Sequence, residues 1–237
     1  MDINKVTPWF RGSYMYQEGD RQLELARVAG GLIFPFGTNA GFAVVAALER
    51  FQNIGFSCRR AHLLLEIEEY DFENLIRQCL NLSQRLEFQN WYGHTSQASM
   101  VALHAFNREQ AATYRPQFNL MSAPFLQKDN AADTFRYGLE RIRERTLPGK
   151  KTLELSATPK IQSALTMIPP ESATGAGIEN YPAVAALTFL LAALDFYNMG
   201  ETRPEQAYTD NSMPRTWRGE ADSKKKEEGR VRYYGRR

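Results

Sequence analysis

From residue 31 onward, short apolar runs alternate with polar, glycine-bearing breaks, and the spacing within each run separates strands from helices. The runs "LIFPF" and "FAVVAAL", joined by "GTNAG", predict a hairpin of two apolar strands turning at Gly37, Asn39 and Gly41, residue types that tolerate positive φ. Pro35 removes a ladder donor from the first run, so that strand is an edge, carries a bulge, or is broken there. "RRAHLLLEIEEYD" predicts a third strand, antiparallel to the second. Asp71 then caps a helix to about Leu86, whose stripe of Phe72, Leu75, Ile76, Cys79, Leu80 and Leu82 faces a sheet. "LEFQNWYG" predicts strand four and "SQASMVALHAFNREQ" a helix capped near Thr95 or Ser96. "FNLMSAPF" predicts strand five. A third helix over about 131–146 turns Phe135, Leu139 and Ile142 inward and stops at Pro148-Gly149, and "KTLEL" is a short strand. Residues 156–178 read as irregular, with Pro159, Pro169, Pro170, Gly175 and Gly177. "ENYPAVAALTFLLAALDFYNMG" then predicts a largely buried helix with Asn180 as N-cap, Pro182 in the first turn and Gly200 as terminator.

The flanks differ from this core. Residues 1–28 are polar and aromatic and read as an N-terminal arm, ending in "RQLELARVAGG", a short strand or turn. Residues 29–200 form the domain. Residues 201–237 read as a basic, flexible tail. The formal net charge of +2 conceals this asymmetry, because residues 215–237 hold nine Lys/Arg against four Asp/Glu, a net +5 in that stretch. Arg215, Trp217, Arg218, Lys224, Lys225, Lys226, Arg230, Arg232, Tyr233, Tyr234, Arg236 and Arg237 offer cations for phosphates and rings for stacking, the chemistry of a nucleic-acid or acidic-partner contact. The plainer reading is a solvated terminus, since "SKKKEEG" mixes both signs.

Composition sets outer bounds. With 43% hydrophobic and 12% aromatic residues, 237 residues suffice for one good-sized α/β domain with tails. The expectation is an intracellular protein, because the first twenty residues lack the apolar core of a signal peptide and no uncharged apolar window of about 18 residues occurs. Cys58 and Cys79 lie 21 positions apart, match no metal spacing, and read as reduced. No GxxxxGK[ST] loop is present, and "PGKKT" lacks the upstream glycine, so no ATPase motor is encoded. No GxGxxG follows a strand.

The order β-β-β-α-β-α-β-α is that of the RNase H-like fold, here a mixed central sheet of about five to six strands flanked by helices. Within it, "GLIFPFGTNAGFAVVAAL" resembles the first hairpin of the nuclease domain of phage large terminases, the DNA-packaging proteins. "EFQNWYGHTSQASM" resembles the end of its fourth strand, and "YPAVAALTFLLAAL" its closing helix. The resemblance spans roughly residues 25–200. It implies three acidic positions holding two divalent metals for DNA cleavage. In this chain those places fall on Phe34 or Pro35, on His94 and on Ala185, and the family's Asp-His pair falls on Tyr181-Pro182. None carries a carboxylate. Mg²⁺ requires oxygen ligands, and a lone imidazole cannot anchor two ions, so His94 is expected as a polar residue at a strand end. The fallback is Glu66 and Glu68, which share one face of strand three and as an inward pair could hold one ion; the plainer reading is a solvated strand face. His62 and His104 have no Ser, Cys or Asp at motif spacing.

Three readings follow. The first is a non-catalytic terminase-nuclease-like module of phage or prophage, needing no cofactor, that binds double-stranded DNA or other packaging and head proteins. The resemblance places it in the cytoplasm of a host bacterial cell or in the virion, with no membrane contact. The second is an active endonuclease using Mg or Mn on displaced carboxylates. The third is an unrelated α/β protein, for which the strand near residues 31–36 would not pair beside the one at 87–92.

Overall fold

In the computed structural model, which describes residues 1–50, 59–94, 97–122, 131–147, 149, 151–167 and 181–201, a hairpin of β1 (Val6–Pro8) and β2 (Tyr14–Glu18) leads into the long strand β3 (Arg21–Ile33). β4 (Gly41–Glu49) and β5 (Ala61–Glu69) complete an antiparallel meander. After α1 (Phe72–Leu86), β6 (Trp91–Gly93) returns parallel to β3, with Gly30, Gly31 and Leu32 opposite Trp91, Tyr92 and Gly93. α2 (Gln97–Ala112) crosses to β7 (Leu120–Ser122), parallel to β6. α3 (Ala131–Thr146) leads to β8 (Leu153–Glu154), parallel to the start of β5, and α4 (Pro159–Met167) and α5 (Pro182–Glu201) follow. The chain divides into a unit Met1–Phe196 and a unit Tyr197–Arg237; of the second, only the backbone at the end of α5 is described.

The result is an α/β architecture with one mixed sheet flanked by helices, consistent with the RNase H-like type. The central strands run β5-β4-β3-β6-β7, and β4 alone among these five is antiparallel to β3. The strand containing residues 31–33 does pair beside the one at 91–93, against the expectation of the third reading.

Three sequence expectations change. Residues 1–28 enter the sheet instead of forming an arm, which raises the strand count from the expected five or six to eight. The cause is legible in the residues: Tyr14 and Tyr16 face Leu25 and Leu23 across a turn at Gly19, which takes φ 58°, and Ile3, Val6, Tyr14, Tyr16 and Leu25 are buried in the main core. The first domain strand covers 21–33, not 31–36. It stops before Pro35, which has no N–H for a ladder, and a small bridge between Phe36 and Asn39 closes the turn. Of the three turn residues, Gly37 alone takes positive φ. Finally, residues 159–167 of the supposed irregular segment form α4. Pro159 is its first residue, where a missing N–H costs nothing.

Gly200, expected as the terminator of the last helix, lies inside α5, and strands four and five shorten to three residues each, while other expectations for described residues hold. Asp71 caps α1 by accepting from the Asn74 N–H at 2.7 Å, and Leu75, Ile76 and Cys79 are fully buried beneath the sheet. Burial pushes the Cys79 thiol up, out of reach of ionisation. Phe135, Leu139 and Ile142 face inward from α3, and residues 183–195 of α5 are buried throughout. Cys58, Thr95, Ser96, Pro148, Asn180 and everything from residue 202 lie outside the described residues.

Two adjacent glycines bring the layers together. Val28, Leu32 and Phe34 point to the α1 face of the sheet, and Gly30 does likewise. A Cβ on Gly30 would collide with the Trp91 ring, so its absence makes room for the indole on that face. On the other face, a Cβ on Gly31 would collide with the Ala186 carbonyl oxygen and lie 2.8 Å from the Leu190 Cβ. α5 therefore lies with its backbone against β3. α3 crosses α5 equally closely, where Gly138 meets Thr188.

A buried ion pair locks this second layer. Arg145, 1% exposed, donates from Nε to Oδ2 of Asp195 at 3.3 Å and from Nη2 to Oδ1, and from Nη1 to the carbonyls of Arg59 at 2.8 Å and Thr152 at 3.3 Å. One guanidinium thus ties α3 to α5, to the start of β5 and to the turn before β8. Such a pair is costly to desolvate and costlier to break. Arg145→Met is expected to lose about 3–5 kcal/mol by stranding the Asp195 charge. Adding Asp195→Leu is expected to restore most of that loss, and urea denaturation of the two variants measures both.

Candidate functional site

The C-terminal ends of β3 and β6 lie side by side, and α5 runs over them. This is where an open α/β sheet forms its crevice, and where the resemblance implies metal-binding acids. Side-chain parity decides what faces it. In β3, Ala29, Gly31 and Ile33 point toward α5, while Phe34 belongs to the opposite face, where its ring lies 4.8 Å from that of Phe72 in α1. Of the two positions proposed for the first acid, Phe34 is thus directed away from the cleft. Pro35 lies on the α1 side as well, its Cδ over Gly41 beside Leu75 of α1.

In β6, Trp91 faces α1, donating from Nε1 to Ser83 Oγ at 2.6 Å. His94, three residues on, reaches the other face. Its imidazole stacks on Phe189 of α5, with ring centroids 6.3 Å apart and an interplanar angle of 15°. Ala185 stands one turn before Phe189 on the same stripe of α5 and is fully buried. Its N–H continues the helix to Tyr181 O at 2.8 Å, and its carbonyl accepts from Thr188 Oγ1 at 2.8 Å. The structure therefore brings His94 against the stripe of α5 that carries Ala185 and Phe189, so the described groups here are a methyl, a phenyl ring and one imidazole. An octahedral oxygen-seeking cation finds no donor in this set. Among the described residues, no group of three or more His, Cys, Asp or Glu is placed to share a metal ion.

Glu66 and Glu68 do share a face, as their alternation predicts, but each is committed elsewhere. Glu66 accepts from the backbone N–H groups of Lys160 at 2.8 Å and Ile161 at 3.0 Å, two of the orphan donors in the first turn of α4. Glu68 pairs with the Lys160 ammonium. A carboxylate 94 residues away in sequence is thus the acceptor for this helix start, favoured by the helix dipole. Glu69, on the opposite side, accepts from Asn74 Nδ2 and from Gln78 Nε2 of α1, the latter at 3.2 Å.

His62, 4% exposed, meets the carboxylate of Glu49, 7% exposed, at 2.7 Å. Burial lowers its pKa below the ordinary value near 6.5, against the opposing pull of Glu49. This is a structural pair within the sheet. His104 lies exposed on α2. The tail positions Arg215 to Arg237 lie outside the described residues. No helix among the described residues is long and apolar enough to cross a membrane.

No family model, curated protein or solved structure was found to be similar to this chain.

Two measurements test these assignments. Glu66→Ala is expected to cost about 0.5–2 kcal/mol, the range for a lost helix cap, and to speed hydrogen exchange selectively at the amides of Lys160 and Ile161. For His62, the folded pKa lies below the unfolded one, so its contribution is complete above pH 6.5 and is lost as pH falls through the window below that value. Acidification from pH 6.5 to 5 should lower the Tm of the native chain more than that of His62→Gln, which keeps a donor for Glu49 but does not titrate.

Proposed function

We propose that this chain is a non-catalytic, terminase-nuclease-like module that binds or assembles in phage DNA packaging, its partner being double-stranded DNA or another packaging or head protein. The observation that carries this reading is the lining of the cleft between β3, β6 and α5. His94 is stacked on Phe189 and Ala185 is sealed in the core, so neither position offers a carboxylate to a cation. Support also comes from Glu66 and Glu68, since the carboxylates that an active nuclease would have to borrow are engaged by α4 and Lys160. Function then falls to the surface and to the basic segment from 215 to 237, whose nine cations and interleaved aromatic residues suit a phosphate backbone. On this reading the protein works in the host cytoplasm or in the particle.

Incubation of the full chain with supercoiled plasmid and either Mg²⁺ or Mn²⁺ is expected to leave the plasmid intact. Cleavage that disappears in Glu66→Ala or His94→Ala would establish the displaced-carboxylate nuclease instead. In a gel-shift titration with duplex DNA at about 50 and 200 mM salt, the full chain should bind and weaken steeply with salt, and removal of residues 215–237 should remove most of that dependence. A chain that shifts no DNA at either salt concentration assigns the binding role to a protein partner.

A further inference from the structure

At the opposite end of the parallel strands, away from the cleft, an open cavity of about 550 Å³ lies between the end of α1, the start of β6 and the segment before β7. That volume is within the range of sites for small organic ligands. Its inner wall is formed by edges of Phe88, Trp91 and Phe118, with the Trp91 ring between the other two at centroid distances of 5.3 and 5.8 Å. The Phe118 side of this wall is fixed as well. Asn107 of α2 grips the backbone of Phe118 with two hydrogen bonds of 2.8 Å, one to the carbonyl and one from the N–H.

The polar lining is unusual in its chemistry. Gln84, Gln89 and Gln117 border the cavity, and none of these carboxamides has a hydrogen-bond partner among the described residues. The single charged residue is Glu87, and no lysine or arginine lines the space, which disfavours an anionic ligand. Glu87 is also conformationally costly. It ends α1 in the left-handed region at φ 52°, ψ 37°, the position where helices ordinarily place glycine. A non-glycine residue held there, at the exposed rim of the cavity beside Gln84, Gln89 and Gln117, is the kind of local strain that accompanies a binding role.

We infer that this cavity binds a planar ligand presenting a fork of two N–H donors, as the guanine base or the guanidinium head of arginine does. The fork meets the Glu87 carboxylate in a bidentate pair, the apolar body lies against the aromatic wall, and carboxamide N–H groups are available for an acceptor such as the guanine carbonyl. Adenine and hypoxanthine lack the complete fork, which makes selectivity part of the inference.

The test titrates the full chain with guanosine, inosine, adenosine and N-acetyl-arginine amide, following the Trp91 indole N–H signal by NMR. Saturable binding of guanosine at least tenfold tighter than inosine or adenosine supports the assignment with a base as source. Saturable binding of the arginine amide alone supports it with a guanidinium as source. Glu87→Gly is the decisive variant: it relieves the left-handed conformation, so its Tm should equal or exceed that of the native chain while affinity falls at least tenfold. Absence of saturable binding by both fork-bearing probes, equal binding of all four, or undiminished binding in a well-folded Glu87→Gly protein would overturn the inference.

Discussion

The fold depends on an approach distance. β3 can carry a helix backbone on one face and an indole on the other because residues 30 and 31 have no side chains to keep them off. With α5 seated on Gly31, its buried Val184, Leu187, Phe189, Leu190, Leu191 and Leu194 each contribute about 1.5–3 kcal/mol of apolar burial, and a helix apolar on nearly every side becomes a stable central element. The same contact sets the lining of the cleft. A helix seated this deeply brings Ala185 and Phe189 to the strand ends, and Phe189 occupies the space beside His94.

Polar groups in this architecture serve as fasteners. Arg145 joins four segments through Asp195 and two carbonyls, and Glu66 serves the first turn of α4. Both are charged groups drawn into partly or fully desolvated positions, and both have their hydrogen bonds satisfied there, the condition under which buried charge is tolerated. Among the described residues, the carboxylates of Glu66 and Asp195 are thus used for cohesion.

Much of this was legible in the chain. Periodicity located α1, α3 and α5, and α3 was placed at the bounds observed, because Phe135, Leu139 and Ile142 repeat at helical spacing and the strands between were bounded by glycine and polar turns. The misses have separate physical causes. Period-two alternation through Tyr14, Tyr16, Leu23 and Leu25 is obscured by interspersed polar residues on the outward face, so in sequence the first hairpin reads as an arm. Pro159 opens a helix within a segment that its prolines and glycines mark as irregular. The role of Glu66 was beyond local reading, since its partners lie 94 and 95 residues away. Arg145 and Asp195 gave no signal either, because nothing in a single sequence distinguishes an arginine in a helix's last turn that is solvated from one that is enclosed. At the candidate site, the convergence of His94 and Ala185 could be anticipated from element order, whereas the direction of Phe34 required knowing where β3 ends.

The order in which the layers are made has a consequence for biosynthesis. The meander and α1 are contiguous in the chain and can associate as soon as they leave the ribosome, but the face of β3 that carries Ala29, Gly31 and Ile33 has its cover encoded about 150 residues later, in α5. Until that segment emerges, a nascent polypeptide displays a bare apolar sheet surface, with Arg145 still waiting for its carboxylate. Completion of this layer is therefore tied to release of α5, and the interval before it is when a holdase chaperone or an unwanted neighbouring strand has access.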